Sequence, residues 1–222
     1  MNRVLDIAGA AVAAAALAPV MAATAVFVGV TMGTPVLFRQ ERTGRHGEPF
    51  TFVKFRTMRP AATSGFDPGS DADRLTAAGR FLRSTSLDEL PALWNVLRGD
   101  MSLIGPRPLP TAYLDRYTER EAHRHDVRPG ITGLAQVLGR NNLTWEQKFA
   151  HDLHYVRHRT LRMDLRILVE TVRTVVRRDG VTATGSATNH ELRAAAAAGP
   201  SAAGPAVAGP AASAAVEDGW RA

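Results

Sequence analysis

Two adjacent carboxylates, Asp88 and Glu89, are the residues of this 222-residue sequence whose types and spacing could do chemistry. Ser86 stands three residues before Glu89, which is the pattern of a helix capping box and predicts that both carboxylates lie in the first turn of a helix. An ionised carboxylate at that place could attack as a nucleophile or bind a metal, and the helix dipole would favour its charge. Acidic residues also stabilise the first turn of any helix, so the spacing alone leaves a capping role open.

The helix that would position these carboxylates is predicted from the residues that follow them. Apolar residues recur at the spacing of one helix face, at Leu90, Leu93, Trp94 and Leu97. Gly99 stands where a C-terminal glycine ends a helix. The pattern therefore predicts a helix that buries one side and presents its N-terminus to a site.

Basic residues give the chain a formal net charge of +6 and a pI near 10.6. Arg107 lies between two prolines, and lysine occurs only at Lys54 and Lys148. Such a balance suits anionic partners, namely nucleic acid, a membrane surface or phosphorylated substrates. The chain has no cysteine, which excludes disulfides and thiolate metal sites.

The N-terminal segment 7–32 carries no charged residue. As one helix it would reach roughly 39 Å, which exceeds a hydrocarbon core of about 30 Å. Arg3 precedes it and Arg39, Arg42 and Arg45 follow it, so both flanks have the positive charge expected on the cytoplasmic side. With Pro19 predicted to kink the helix, we favour a re-entrant segment over a spanning anchor or a cleaved signal peptide.

The remaining elements are predicted from local patterns. Segments 36–38 and 50–55 are typical of a β-hairpin, with Lys54 and Arg56 on one side of the second strand, where they could face an anion or equally form its solvated face. A loop is expected over 61–73, and helices over 74–82, 111–124, 145–157 and 161–178. The last of these is amphipathic, and it could lie in the lipid headgroup layer or pack on the domain core.

Five ordered motifs carry a resemblance to a known family. They are KFRTM (54–58), LDEL (87–90), GDMS (99–102), GPRP (105–108) and RPGITG (128–133). From about residue 3 to 180 the sequence resembles the bacterial polyprenyl-phosphate sugar-1-phosphate transferases, which are monotopic phosphoglycosyl transferases that start exopolysaccharide and glycan assembly. Leu134 and Leu138 depart from the family pattern, in which tryptophan and asparagine are frequent.

The resemblance implies a mainly helical α+β fold. Residues 1–34 would form the membrane-inserted, re-entrant helix with its kink at Pro19. Residues 35–185 would form a catalytic domain on the cytoplasmic face of the bacterial inner membrane, containing a short β-hairpin and amphipathic interfacial helices. Composition, rather than the resemblance, predicts that residues 186–222, which are rich in Ala, Gly and Pro, form a disordered tail.

The resemblance also implies the reaction. A sugar-1-phosphate would pass from a UDP-sugar to undecaprenyl or another polyprenyl phosphate, with release of UMP (EC 2.7.8.-). Asp88 would be the nucleophile that forms an aspartyl phosphosugar, while Glu89 would act through a metal or by positioning the acceptor phosphate. The metal would be Mg²⁺, held by Asp88 and Glu89.

The substrates implied for this site are anions, so cations must surround it. Lys54, Arg83, Arg107 and Arg128 are the expected phosphate-binding residues, because arginine binds phosphate oxygens in pairs and keeps its charge. The expected partners are a UDP-sugar, polyprenyl phosphate and membrane lipid but no nucleic acid, and a homo-oligomer is left open. The alternative function is a non-catalytic, membrane-tethered basic protein that binds anionic lipid or nucleic acid.

Overall fold

A single long helix dominates the N-terminal part of the computed structural model, which describes residues 2–60, 71–139 and 142–177. This helix, α1 (Arg3–Met32), begins at Asn2, whose side chain accepts a hydrogen bond from the Val4 amide. Pro19 lies inside α1 without ending it, although proline supplies no N–H for the carbonyl of the preceding turn. The kink expected at Pro19 stays a prediction. By length and composition α1 could cross a membrane, and most of its apolar stretch is exposed.

Both halves of α1 pack on the rest of the chain. In the N-terminal half, Ala10 lies in an apolar cluster with Phe52 and Val96. In the C-terminal half, Val28 lies in a second cluster with Phe55 and Leu82. The hydrophobic core therefore crosses the boundary that the sequence places at residue 34.

Polar contacts fasten the N-terminal end of α1. Arg3 donates hydrogen bonds to the carbonyls of Val96 (2.7 Å) and Leu97 (3.0 Å). The buried carboxylate of Asp6 accepts hydrogen bonds from the Ser102 hydroxyl (2.7 Å) and the Leu103 amide (2.9 Å). These bonds fix the start of the apolar helix to residues far along the chain.

The opposite end of α1 is held by Arg56, which donates to the carbonyls of Met32, Gly33 and Thr34. Because the last carbonyls of a helix have no partner within it, a guanidinium there satisfies them and complements the helix dipole. The sequence left two roles open for Arg56, facing an anion or forming the solvated face of the second strand, and the structure shows neither, because Arg56 is buried against these carbonyls.

The predicted hairpin is confirmed. Strands β1 (Leu37–Thr43) and β2 (Pro49–Phe55) pair antiparallel, and a 3₁₀ turn at Arg45–Gly47 connects them. Phe38 pairs with Lys54, and Arg42 pairs with Phe50. Since side chains alternate along a strand, Phe38, Arg42 and Lys54 share one face of the hairpin.

Two short helices follow, α2 (Asp71–Arg74) and α3 (Ala77–Ser84). Residues 61–70 of the predicted loop lie outside the described residues, whereas 71–73, also predicted as loop, are helical. The helix predicted over 74–82 is divided, because the side chain of Thr76 caps α3 by accepting from the Gly79 amide at 2.9 Å.

The single helix predicted over 111–124 is wrong. The chain forms a 3₁₀ helix (Thr111–Arg116), helix α5 (Glu119–Ala122) and another 3₁₀ helix (His123–Asp126). Tyr117 has extended backbone angles, and Thr118 forms a capping box with Glu121. A residue that caps a new helix must leave the helical conformation itself, so the chain breaks at this point.

A parallel pair of three-residue strands joins two of the sequence motifs. Strand β3 (Ser102–Ile104) leads into the GPRP motif, and β4 (Gly130–Thr132) lies within RPGITG. The backbones approach so closely that a Cβ on Gly130 would overlap the Gly105 amide. Glycine is required here because only its missing side chain permits this approach.

Three helices complete the described chain: α6 (Leu134–Leu138), α7 (Trp145–His158) and α8 (Leu161–Arg177). Helix α8 packs on the domain core, as one of the two alternatives has it, and its placement in the headgroup layer stays a prediction. Met163 and Ile167 are buried against the domain, while a second stripe is exposed, at Leu161, Leu165, Val169, Val172 and Val176. The mainly helical α+β class is confirmed, and the tail predicted over 186–222 lies outside the described residues.

Candidate active site

The carboxylates lie in a 3₁₀ helix (Leu87–Ala92) that leads directly into α4 (Leu93–Arg98). The predicted capping box is wrong, because Ser86 has left-handed backbone angles (φ 57°) and its side chain makes no capping hydrogen bond. A capping residue normally has extended angles. Left-handed angles are costly for serine, and such strain tends to occur next to functional groups.

The 3₁₀ geometry also changes which residues point inward. With three residues per turn rather than 3.6, the face predicted for an α-helix rotates along the segment. Leu93 is buried as predicted, but Trp94 is 58% exposed instead of facing the core. Gly99 ends α4 in a left-handed conformation (φ 102°), as the sequence predicts.

Asp88 is buried, with 4% of its surface exposed. Lys54 Nζ lies 3.8 Å from Asp88 Oδ2, which is an ion-pair contact beyond ordinary hydrogen-bond distance. Burial raises the pKa of Asp88, and the positive charges of Lys54, Arg83 and Arg107 only partly oppose this. The helix N-terminus was expected to keep this carboxylate ionised, but desolvation is the larger effect.

Glu89 faces Arg107 in a two-pronged ion pair. Arg107 donates one hydrogen bond to Glu89 Oε2 at 3.2 Å and a second to Oε1. Burial alone would raise the pKa of Glu89, but Arg107, with help from Lys54 and Arg42, lowers it to about 2. Glu89 is therefore ionised at neutral pH and holds the guanidinium of Arg107 in one orientation.

The predicted phosphate-binding cations are not all placed together. The charge of Arg83 acts on both Asp88 and Lys54, and its Nε donates to the Thr57 hydroxyl at 3.2 Å. Arg128 instead donates to the Gly99 carbonyl at 2.9 Å, at the C-terminal end of α4. The geometry gathers Lys54, Arg83 and Arg107 around the carboxylates and gives Arg128 a contact at the far end of that helix.

Arg42 is a site residue that the sequence reasoning missed. It donates to the Pro108 carbonyl at 2.6 Å, and its charge acts on Lys54 and Glu89. Burial, followed by the charge of Arg107, lowers the pKa of Arg42 to about 9. The sequence did contain the information needed to place Arg42. Side chains alternate along a strand, and in the predicted hairpin this alternation puts Arg42 of β1 on the same face as Lys54 of β2.

A second missed residue, Arg124, supports the same loop from the other side. Its guanidinium is 3% exposed, donates to the Arg107 carbonyl at 2.8 Å and forms an ion pair with Asp152 at 2.7 Å. Arg42 and Arg124 therefore hold consecutive carbonyls of the GPRP loop. No local pattern marked Arg124, since its partners are 17 and 28 residues away.

The donor set suits a magnesium ion that is shared with a substrate. Among the described residues, no group of three or more His, Cys, Asp or Glu side chains could hold a metal alone. Mg²⁺ commonly binds through one or two carboxylates, with substrate phosphates and water completing its shell. Asp88 and Glu89 can supply those carboxylates, and Asp88 is the freer of the two because Arg107 binds both oxygens of Glu89.

The two lysines of the chain allow a pH test of the site. Burial lowers the pKa of Lys54 to about 8, with Asp88 opposing the shift, so its positive charge is present below pH 8 and lost as the pH rises through that value. We expect kcat/KM for an anionic donor to fall above about pH 8 for this reason. Lys54→Arg should move the falling limb to higher pH, because arginine keeps its charge.

Lys148→Arg is the matched control for this pH profile. Burial, followed by the charge of Arg107, also lowers the pKa of Lys148 to about 8, but Lys148 acts on Asp152, whereas Lys54 acts on Asp88. If the fall of kcat/KM at high pH moved in Lys148→Arg but stayed in place in Lys54→Arg, the assignment of this fall to Lys54 would be contradicted.

The sequence comparisons agree with this geometry. The model of the bacterial sugar transferase family matches residues 1–178, so the chain belongs to that family. The match covers α1, the carboxylate turn and every other described element.

Several relatives have more specific names. An uncharacterized sugar transferase, EpsL, of Bacillus subtilis is 45% identical over 188 residues, which cover 85% of this chain and 93% of the relative. A UDP-glucose:undecaprenyl-phosphate glucose-1-phosphate transferase of Caulobacter vibrioides is 43% identical, covering 80% of this chain and 70% of the relative. An undecaprenyl-phosphate galactose phosphotransferase of Salmonella typhimurium is 41% identical over 67% of this chain, and the match spans only 35% of that longer protein.

Proposed function

We propose that this protein transfers a sugar-1-phosphate from a UDP-sugar to a polyprenyl phosphate and releases UMP. The observation that carries the proposal is a buried carboxylate, Asp88, beside Lys54 and close to the Glu89–Arg107 pair. Relatives named for transfer to undecaprenyl phosphate support the same reaction. Their donors are named as UDP-glucose and UDP-N-acetylgalactosamine in two cases.

In the first step, an Asp88 oxygen attacks the phosphorus that carries the sugar. A bond forms between that oxygen and phosphorus, the bond from phosphorus to the bridging oxygen breaks, and UMP leaves with the electron pair. Lys54, Arg83 and Arg107 bind the diphosphate and stabilise the negative charge that develops on the leaving oxygen. The burial that raises the pKa of Asp88 also removes water that would solvate and weaken the nucleophile.

In the second step, a phosphate oxygen of the acceptor attacks the same phosphorus. The acyl-phosphate bond breaks, Asp88 regains its carboxylate, and the product is a polyprenyl diphosphate sugar. A covalent intermediate is favourable because the two large anionic substrates need not react with each other directly. The donor reacts first with Asp88, and the acceptor then reacts with the phosphosugar. Glu89 acts in both steps by orienting Arg107.

Mg²⁺ is part of this proposal. Asp88 and Glu89 would hold the ion, which would neutralise diphosphate charge when bound. Arg107 and Lys54 contribute their own charge at the same edge of the site.

The assay that tests this function measures UMP. Purified protein in lipid nanodiscs receives Mg²⁺, undecaprenyl phosphate and, separately, UDP-glucose, UDP-galactose or UDP-N-acetylgalactosamine. We expect UMP release with at least one donor, and a lipid product that carries the sugar and both phosphates. Release of UDP instead of UMP would contradict the proposed bond cleavage.

We also propose that α1 is re-entrant in the inner membrane and that the catalytic domain lies on the cytoplasmic face. Its two ends are fastened to one domain, by Arg3 and Asp6 at the start and Arg56 at the end. A helix that crossed the bilayer would place those ends on opposite sides. The exposed valines of its outer face, such as Val12 and Val26, would then contact acyl chains.

Single-cysteine labelling tests this topology, since the chain has no native cysteine. Asn2→Cys and Arg39→Cys are both expected to react with a membrane-impermeant maleimide from the cytoplasmic side only. Val20→Cys, near Pro19, is the control and should be protected from both sides. Labelling of positions 2 and 39 from opposite sides would rule out the re-entrant arrangement.

A further inference from the structure

A pocket of about 190 Å³ lies next to the carboxylate turn. Its apolar walls include Ala13 and Leu17 of α1, Leu93 of α4, Val137 of α6 and Val175 of α8. Sites that enclose a whole small ligand usually measure about 300–1,000 Å³, so this pocket is sized for one end of a larger molecule.

The pocket is continuous with the proposed catalytic site. Glu89 and Ser86 are part of its lining, and Glu89 is also hydrogen-bonded to Arg107. A ligand whose apolar end occupies the pocket can therefore place a charged group near Arg107.

The lining does not suit the nucleotide or the sugar. Glu89 is the only charged residue among the described residues that line the pocket, so a diphosphate would find no cation there. The hydroxyls of Thr132 and Thr171 bond each other at 2.7 Å, and Thr174 donates to the Glu170 carbonyl at 2.7 Å. Sugar hydroxyls would therefore find few open partners.

Gln136 adds a polar atom to the lining. Gln136 Oε1 is buried and has no hydrogen-bond partner among the described residues, while the amide nitrogen of Gln136 donates to the Ile131 carbonyl at 3.0 Å. This acceptor and the Ser86 hydroxyl are too few to satisfy the several hydroxyls of a sugar. The predominant surface is hydrocarbon, which favours an apolar occupant.

Two helices that line the pocket, α1 and α8, also carry exposed apolar residues. Val12 and Val20 of α1 are exposed, and so are Val172 and Val176 of α8. Such surfaces are favourable in the acyl region of a membrane and unfavourable in water. A lipid-embedded chain can thus pass from the acyl layer to the pocket along apolar surface.

We propose that this pocket holds the isoprene units next to the phosphate of the lipid acceptor. This inference rests on the proposed function, since it places one part of that reaction's second substrate. The acceptor phosphate then lies at the Glu89–Arg107 edge, on the side from which it can reach a phosphosugar on Asp88. The pocket thereby selects a lipid phosphate over a water-soluble phosphate monoester.

Filling the pocket tests the inference. Val175→Phe, on α8, and Val137→Phe, on α6, each add bulk to a different wall. We expect the KM for undecaprenyl phosphate to rise by about tenfold, comparable to losing about two buried methylene groups, with the KM for the UDP-sugar as in the parent. Val4→Phe is the matched control, because the same change at a 69% exposed residue of α1 that does not line the pocket should leave both KM values unaltered.

The outcomes separate this inference from the proposed function. A raised KM for the UDP-sugar with an unchanged KM for the lipid would place the donor in the pocket and overturn the inference. If the parent released no UMP at all, the function would fail, and direct binding of undecaprenyl phosphate to nanodisc-embedded protein would still decide the pocket. Weaker binding by both filled variants supports the inference, and binding equal to that of Val4→Phe overturns it.

Discussion

Asp88→Asn is expected to lower the rate of UMP release from the UDP-sugar by at least about 10³-fold, since it removes the attacking oxygen's charge and basicity. The amide matches the carboxylate in size, and burial already disfavours the charged form of Asp88. We therefore expect the variant to remain folded, with a thermal unfolding midpoint close to that of the parent. Initial rates of UMP release, measured with donor and acceptor saturating, check the loss.

A covalent intermediate gives this prediction a second readout. Donor alone should add one phosphosugar to the parent in an intact-mass measurement and none to Asp88→Asn. Asp115→Asn is the control, because Asp115 is exposed on the 3₁₀ helix Thr111–Arg116 and should keep parental activity. UMP release by Asp88→Asn at the parental rate would show that another group is the nucleophile.

Arg107→Ala is expected to lower kcat/KM by about 10²- to 10³-fold, the usual effect of removing one preorganised stabilising group. The substitution removes a phosphate-binding cation and leaves Glu89 without the guanidinium that keeps its pKa near 2. Arg107→Lys should recover only part of the loss, because an ammonium cannot form the two-pronged contact. Steady-state kinetics with the UDP-sugar measure both variants.

A double variant tests whether Glu89 acts through Arg107 or independently of it. If Glu89 acts through Arg107, Glu89→Gln together with Arg107→Ala should be no slower than Arg107→Ala alone. Arg173→Ala is the matched control, because it removes an exposed Arg–Glu pair on α8 and should change kcat/KM less than about twofold. Additive losses in the double variant would show that Glu89 acts mainly through the proposed Mg²⁺ or the substrate rather than through Arg107.

The carboxylate pair, the hairpin and the apolar helix could be predicted because each depends on neighbouring residues. The position of Lys54 could be predicted for a similar reason, since the alternation of side chains along the hairpin strands determines the face on which Lys54 lies. The local geometry at Ser86 was missed because a capping pattern assumes that serine has extended angles, whereas the packing of this turn imposes φ 57°. Trp94 was misplaced for the same reason, since a 3₁₀ turn precedes it.

Long-range contacts explain the remaining differences. Arg124 supports the GPRP loop through partners 17 and 28 residues away, and no local periodicity encodes such a distance. Arg56 and Arg128 resemble free phosphate ligands in the sequence, yet both donate to backbone carbonyls near helix ends. An arginine in such a motif therefore predicts an anion site only when its guanidinium group does not already donate to backbone carbonyls at a helix end.

The two-ended attachment of α1 governs how this enzyme can be handled. Deleting residues 1–34 would remove the α1 residues from two apolar clusters and expose Phe52 and Phe55 to water. It would also orphan the Ser102 and Leu103 donors that now meet Asp6. We therefore expect the protein without residues 1–34 to aggregate instead of remaining soluble and active. The full-length protein should be purified in lipid or detergent.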